Sequence, residues 1–149
     1  MKKFVFSVFI SIIITSCFGF YDYETQTIVD DYEVLWIDVL ESRSLKKVET
    51  LVPAFVFATG YNQKYIYSKQ HPLLENSKEK INLKVTHYYI IERTKSIFQD
   101  KPVFGPFNKT EFEKKCQELA IKKPEFNLIF PTEFWLNPKV RSLFTCPSL

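Results

Sequence analysis

The clearest pattern of apolar and polar positions runs from Leu51 to Pro72, LVPAFVFATGYNQKYIYSKQHP. Phe55, Val56, Phe57 and Ala58 lead into Gly60-Tyr61-Asn62-Gln63, and Tyr65, Ile66 and Tyr67 lead out again. β-Branched and aromatic side chains suit a pleated, half-buried surface, while Gly and Asn tolerate the positive φ a reversal needs. The pattern therefore predicts a β-hairpin with its turn at 60–63. Pro53 has no amide to donate, which starts the first strand at or after it, and His71-Pro72 closes the second.

Upstream, Thr27 to Leu40 alternates Tyr32, Val34 and Trp36 with Leu35, Ile37 and Val39, a strand apolar on both faces that calls for cover on both sides. Glu41-Ser42-Arg43-Ser44 reads as a polar turn. Leu45, Val48 and Leu51 are three apart, which permits a helical turn, but their polar neighbours fit a strand edge better. Downstream, Leu73 to Asn82 is a polar surface loop, and Val85 to Arg93 is a strand with His87, Tyr89 and Ile91 on one face and Tyr88, Ile90 and Glu92 on the other. Val103-Phe104 supplies a short last strand before Gly105-Pro106. Connections this short predict an antiparallel meander of four to five strands.

Asn108 to Ile121 is the clearest helix. Asn108 is a natural N-cap with Glu111 three residues on, and Phe112, Cys116, Leu119 and Ala120 form one apolar stripe. Lys109, Glu113 and Lys114 fall toward solvent, Glu111 and Lys115 form an i,i+4 pair, and Pro124 stops the helix. The aromatic tail beyond it, with Phe126, Phe130, Phe134 and Trp135, must dock on the domain, and Asn137-Pro138 is a start signal for a short helix over 138–144. The predicted class is α+β: the meander, one helix from the C-terminal half packed on it, and the tail covering an edge.

The first residues change the picture from fold to location. Met1-Lys2-Lys3 is followed by an apolar run from Phe4 to Ile14, too short to span a bilayer and typical of the core of a secretory signal. Ile14-Thr15-Ser16-Cys17 resembles the bacterial lipobox, in which the cysteine is acylated and becomes the first residue of the mature chain. The competing reading is an ordinary signal cut near Ser16 to Gly19. The chain thus divides into a lipoprotein-type signal peptide at 1–16, a lipidated tether at 17–26 with little expected order, and one globular domain at 27–149. The expected location is the cell envelope, lipid-anchored through palmitate-type acyl chains at Cys17 on the outer-membrane, periplasmic or surface face.

Charge narrows the partners. The full chain carries 20 basic and 17 acidic residues, and loss of Lys2 and Lys3 brings the mature balance to about +1, which does not fit a nucleic-acid binder. From Phe18 to Glu41 there are seven acids and no base, a segment expected to pair with the basic remainder rather than to bind calcium, since the alternating acids and turn glycine of a calcium loop are missing. Aromatics at 17% against three glycines point to a packed fold.

Candidate chemistry is thin. Cys116 and Cys146 could form a disulfide that staples the tail to the helix in an oxidising compartment, or stand as one buried and one loose thiol. His71 and His87 fall on different predicted strands that could be neighbours, but they lack the further ligands of a metal site, and there is no nucleophile elbow, phosphate loop or Cys-x-x-Cys. Neither a metal nor a cofactor is expected. Tyr61, Tyr65, Tyr67, Tyr88 and Tyr89 form either a ligand face or core.

GYNQKYIYSKQHP at 60–72, HYYIIER at 87–93 and VFGPFNKTEF at 103–112 resemble the small bacterial lipoproteins grouped as domain of unknown function 3997, over roughly Tyr32 to Ile121. The resemblance implies a protein of Bacteroidetes type and transfers no catalytic residue. The expected function is an uncharacterised envelope lipoprotein acting as a binding module, not an enzyme, with an unknown envelope protein as partner. Two alternatives stand beside it: an inhibitor or immunity-type protein, which would expose aromatics and acids outside any pocket, and a small hydrolase using His71 or His87, which would place both histidines in one pocket.

Overall fold

In the computed structural model, which describes residues 23–37, 39–77, 80–94 and 102–130, nine strands form two antiparallel sheets with one helix. The first sheet has the order β1 (Tyr23–Val29), β2 (Tyr32–Ile37), β3 (Val39–Lys46) and β4 (Thr50–Val52). The second has the order β8 (Val103–Phe107), β7 (His87–Glu92), β6 (Tyr65–Gln70), β5 (Val56–Tyr61) and β9 (Leu128–Ile129). The helix, α1 (Lys109–Glu118), packs on β7 and β8. The α+β class, the meander and the helix stand as expected; the meander is simply made twice.

The second sheet is the middle layer, because its strands are apolar on both faces. Along β7, Tyr89 and Ile91 turn toward the first sheet, while Tyr88 and Ile90 turn toward the helix, as period-two alternation requires. The core between the sheets joins Ile28, Tyr32, Val34, Leu45 and Val52 to Val56, Ile66, Tyr89, Ile91 and Phe130. On the other face Tyr67, Ile90, Phe112, Cys116 and Ile121 form a second core, with Phe112 near Tyr88 (4.9 Å) and Phe126 (6.1 Å). The cover anticipated for the first apolar segment is therefore supplied to the hairpin instead.

The hairpin itself is β5–β6, with Gly60 paired to Tyr67 and Tyr61 to Ile66. Its turn lies at 62–64, one step beyond the expected position, because Asn62 makes it: the Asn62 Oδ1 accepts from the amides of Lys64 and Tyr65, both at 2.8 Å. Gly60 serves a different purpose. A Cβ there would lie 1.8 Å from the carbonyl oxygen of Glu125, so the glycine lets the returning chain cross the strand. That chain continues into β9, where Leu128 pairs with Thr59, and Phe130 donates its amide to the Phe57 carbonyl at 2.8 Å. The tail thus covers the β5 edge as far as Phe130; the expected helix at 138–144 and Cys146 lie outside the described residues.

Four other expectations are corrected. The single strand over 27–40 is a hairpin and more: β1 and β2 reverse at Asp30-Asp31, with Asp30 in the left-handed region (φ 50°), a conformation short polar side chains tolerate. β1 reaches back to Tyr23, inside the stretch read as spacer. The polar run Glu41–Ser44 is strand, not turn; Ser42 Oγ bridges the amide and carbonyl of Ile37 at 2.8 and 2.9 Å, while Arg43 alternates inward with Leu45. β8 also runs through Gly105-Pro106, which are joined by a cis peptide bond.

The helix begins as its sequence dictates. Asn108 Oδ1 accepts from the Glu111 amide (3.0 Å) and Glu111 Oε2 from the Asn108 amide (2.8 Å), a complete capping box. It ends earlier than Pro124. Ala120 takes φ 54°, its amide donates to Gln117 O (3.1 Å), and the Ile121 amide donates to Cys116 O (2.8 Å), the double closure that satisfies the last carbonyls. Lys115 pairs with Glu118 (3.0 Å) rather than Glu111, which is committed to the cap.

Candidate functional site

The sequence-nominated side chains divide into structural and exposed. His71 is buried, stacked on Phe57 with centroids 4.2 Å apart, and its Nδ1 lies 2.7 Å from the Val85 carbonyl; a carbonyl only accepts, so Nδ1 carries the proton. His87 is half-buried and pairs across the strands with Gln70. A hydrolase built on His71 needs its ring facing a pocket, and the ring is packed against Phe57. Of the five tyrosines the sequence nominated, Tyr67 and Tyr89 are core, Tyr65 and Tyr88 are half-buried, and Tyr61 is exposed. The aromatic face is thus mainly the second core. Cys116 is buried on the inward stripe of α1, whereas Cys17 and Cys146 lie outside the described residues. Among the described residues no group of three His, Cys, Asp or Glu side chains is placed to hold a metal ion.

What the fold gathers at one end is a set of three turns: Asp30-Asp31 between β1 and β2, Lys47–Glu49 between β3 and β4, and Asn62–Lys64 between β5 and β6. Arg93, just past β7, ties two of them together. Its amide donates to Lys64 O (2.7 Å), its Nη1 to Asn62 O (2.5 Å) and its Nη2 to Asp30 Oδ2 (2.6 Å), while the guanidinium lies 5.8 Å from the Tyr61 ring centre. The next residue holds the third turn: Lys47 Nζ donates to Thr94 O (2.5 Å), sits 4.9 Å over the Tyr32 ring and faces Asp31 at 3.8 Å. The Tyr32 hydroxyl accepts from the Thr94 amide at 3.1 Å. The acidic N-terminal segment does meet the basic remainder here, through Asp30–Arg93, Asp31–Lys47 and Glu33–Lys46. Exposed on this frame are Val48 (69%) and Tyr61 (41%), beside the exposed acids Asp31 and Glu49.

Arg93 and Lys47 escaped the sequence reading, although a signal was present. Arg93 continues the parity of Tyr89 and Ile91, so it points toward the first sheet. Arg43 likewise continues inward from Leu45 and lies 5.0 Å from the Phe130 ring centre with only 1% exposure. A polar row faces the same interior: the Thr59, Ser68 and Gln70 side chains are buried, and among the described residues Thr59 Oγ1, Ser68 Oγ and Gln70 Oε1 have no hydrogen-bond partner. Each such oxygen costs stability, which makes the inter-sheet core the less economical of the two.

On the helix face, burial is the main influence on titration. It pushes the Tyr67 hydroxyl from its ordinary 10.0 to about 12, aided by Cys116 and Tyr65, and raises the Cys116 thiol with help from Glu113. Burial also lowers the Lys69 ammonium, with Lys109 adding repulsion; Lys69 sits 4.1 Å over Phe126 and 5.7 Å from Tyr88. In each case burial disfavours the charged form, which is core behaviour.

The profile of a family described as Protein of unknown function (DUF3997) covers residues 22–129, from the first residue before β1 to the end of β9. No curated protein and no solved structure matches the chain significantly.

Proposed function

This chain belongs to the family Protein of unknown function (DUF3997), and from that premise we propose that it is a lipid-anchored protein of the bacterial cell envelope that binds a protein partner rather than catalysing a reaction. The anchor rests on the sequence: a basic start, the apolar run Phe4 to Ile14, and Ile14-Thr15-Ser16-Cys17. The observation that carries the binding reading is the turn end. Val48, in the turn after β3, and Tyr61, at the end of β5, are exposed beside turns that Arg93, Lys47 and Thr94 hold by side-chain and backbone bonds, so little ordering is left to be done on association.

Exposed aromatic and apolar groups beside acids also favour the inhibitor or immunity-type version of this reading over the hydrolase, for which His71 is badly placed. The test is capture from envelope extracts on the immobilised mature chain, compared with Val48→Asp and Tyr61→Asp. A protein retained by the natural chain and lost with either variant supports the reading. Equal retention by all three chains places the contact elsewhere, and recovery of nothing above background removes the binding reading. Metabolic labelling with palmitate, abolished by Cys17→Ala, tests the anchor separately.

A further inference from the structure

The two sheets lie with corresponding ends together. Asp30 bonds Arg93 and Tyr32 bonds Thr94 at the turn end, while farther along both sheets Arg43 lies over Phe130, whose amide bonds Phe57. Beyond Arg43 on the first sheet come Ile37 and Tyr23, which are register partners; beyond Phe57 on the second come Gln70, His71 and the 73–85 loop. The end opposite the turns therefore collects Tyr23, Ile37, Leu73, Leu74, Leu83 and Val85, six of the nine large hydrophobic residues left exposed among the described residues. Tyr23 is 60% exposed.

The loop that carries four of them has its own hydrogen bonds. Leu74 N donates to Lys80 O and Asn82 N to Pro72 O, both at 2.8 Å, Val85 N donates to Asn82 O at 3.2 Å, and Leu73 bridges Ile81. Its apolar side chains are thus held outward by bonds local to the loop, with Lys80, Lys84 and Glu75 exposed around them. Patches of this composition mark contact with an apolar phase or partner.

The chain identifies which. The tether enters the fold at Tyr23, at this same end, and Cys17 precedes Tyr23 by six residues, a reach of about 20 Å when fully extended. The residues between include Tyr21, of a type enriched at membrane interfaces, and Phe18 and Phe20, of a type that interfacial anchors bury among the acyl chains. Resting on the lipid-anchor reading, we infer that the domain does not swing free but seats this end on the phospholipid surface, with Leu74, Leu83 and Tyr23 in the interface and Lys80 and Lys84 reaching phosphates. The turn end then faces away from the membrane.

The test uses the full chain, expressed with its signal, purified from membranes and reconstituted in phosphatidylcholine vesicles with brominated acyl chains. Tryptophan emission is compared among the natural chain, Leu83→Trp and Val48→Trp, and Cys17 acylation is read by mass. The expected result is acylated Cys17 with bromine-dependent loss of the added emission for Leu83→Trp and none for Val48→Trp. Acylated Cys17 with equal quenching of the two added tryptophans, or none, overturns the seated orientation while leaving the anchor intact. An unacylated Cys17 with the chain free of vesicles overturns the anchor reading, and the seat with it.

Discussion

At the turn end, charged and hydroxyl side chains reach backbone carbonyls and amides of neighbouring strands, and two exposed apolar groups stand on that frame. At the opposite end the same sheets finish in aliphatic side chains and one loop closed mainly by its own backbone bonds, with Ser77 Oγ and Asn82 Oδ1 as local acceptors and the buried His71 bonding the Val85 carbonyl. The difference is one of how order is achieved: long charged side chains tie separate turns together at the first end, while the second is held by bonds within its loop and by the buried His71 and Gln70, and leaves more apolar surface uncovered. A rigid display suits selective recognition, and a compliant apolar rim suits a surface without fixed shape.

Substitutions can break or sharpen this contrast, beginning with the costliest. Gly60→Ala puts a methyl group against the Glu125 carbonyl beside the turn end and forces the 125–130 segment off the sheet; a loss of about 3 kcal/mol in denaturant unfolding is expected. Arg93→Ala, which frees two turns at once, should cost about 2 kcal/mol, most of it from the carbonyl of Asn62 and little from the partly exposed Asp30 pair. Tyr32→Phe removes the acceptor of the Thr94 amide and should cost about 1 kcal/mol by the same measurement. Ala120→Gly, remote from both ends, should stabilise by about 1 kcal/mol because the left-handed φ suits glycine, which calibrates the scale. Leu83→Ser at the strand end should stay within about 0.5 kcal/mol of the natural chain. A large loss there, or none for Arg93→Ala, would erase the distinction.

The hairpin and the helix were legible because each signals itself locally: apolar strands flanking Asn62, and the Asn108–Glu111 capping box. The first sheet was not, since its reversals lack glycine and proline. Asp30 turns the chain through a left-handed conformation that composition does not advertise, and Glu41–Ser44 looks polar although Arg43 is buried against Phe130. Gly60 carried a true signal with the wrong meaning, since close backbone approach and turn both ask for glycine. The turn-end site depended on contacts between residues about 60 apart, Asp30 with Arg93 and Tyr32 with Thr94, which no local pattern encodes.

Hydrogen exchange on the lipid-free chain compares the two ends directly. The amides of Asn62, Arg93 and Thr94, bonded to Tyr65 O, Lys64 O and the Tyr32 hydroxyl, are predicted to exchange markedly more slowly than those of Leu74, Asn82 and Val85 in the loop at the other end. Equal protection at both ends, or faster exchange at Arg93 and Thr94 than in the loop, would contradict the account of a fixed turn end and a compliant strand end.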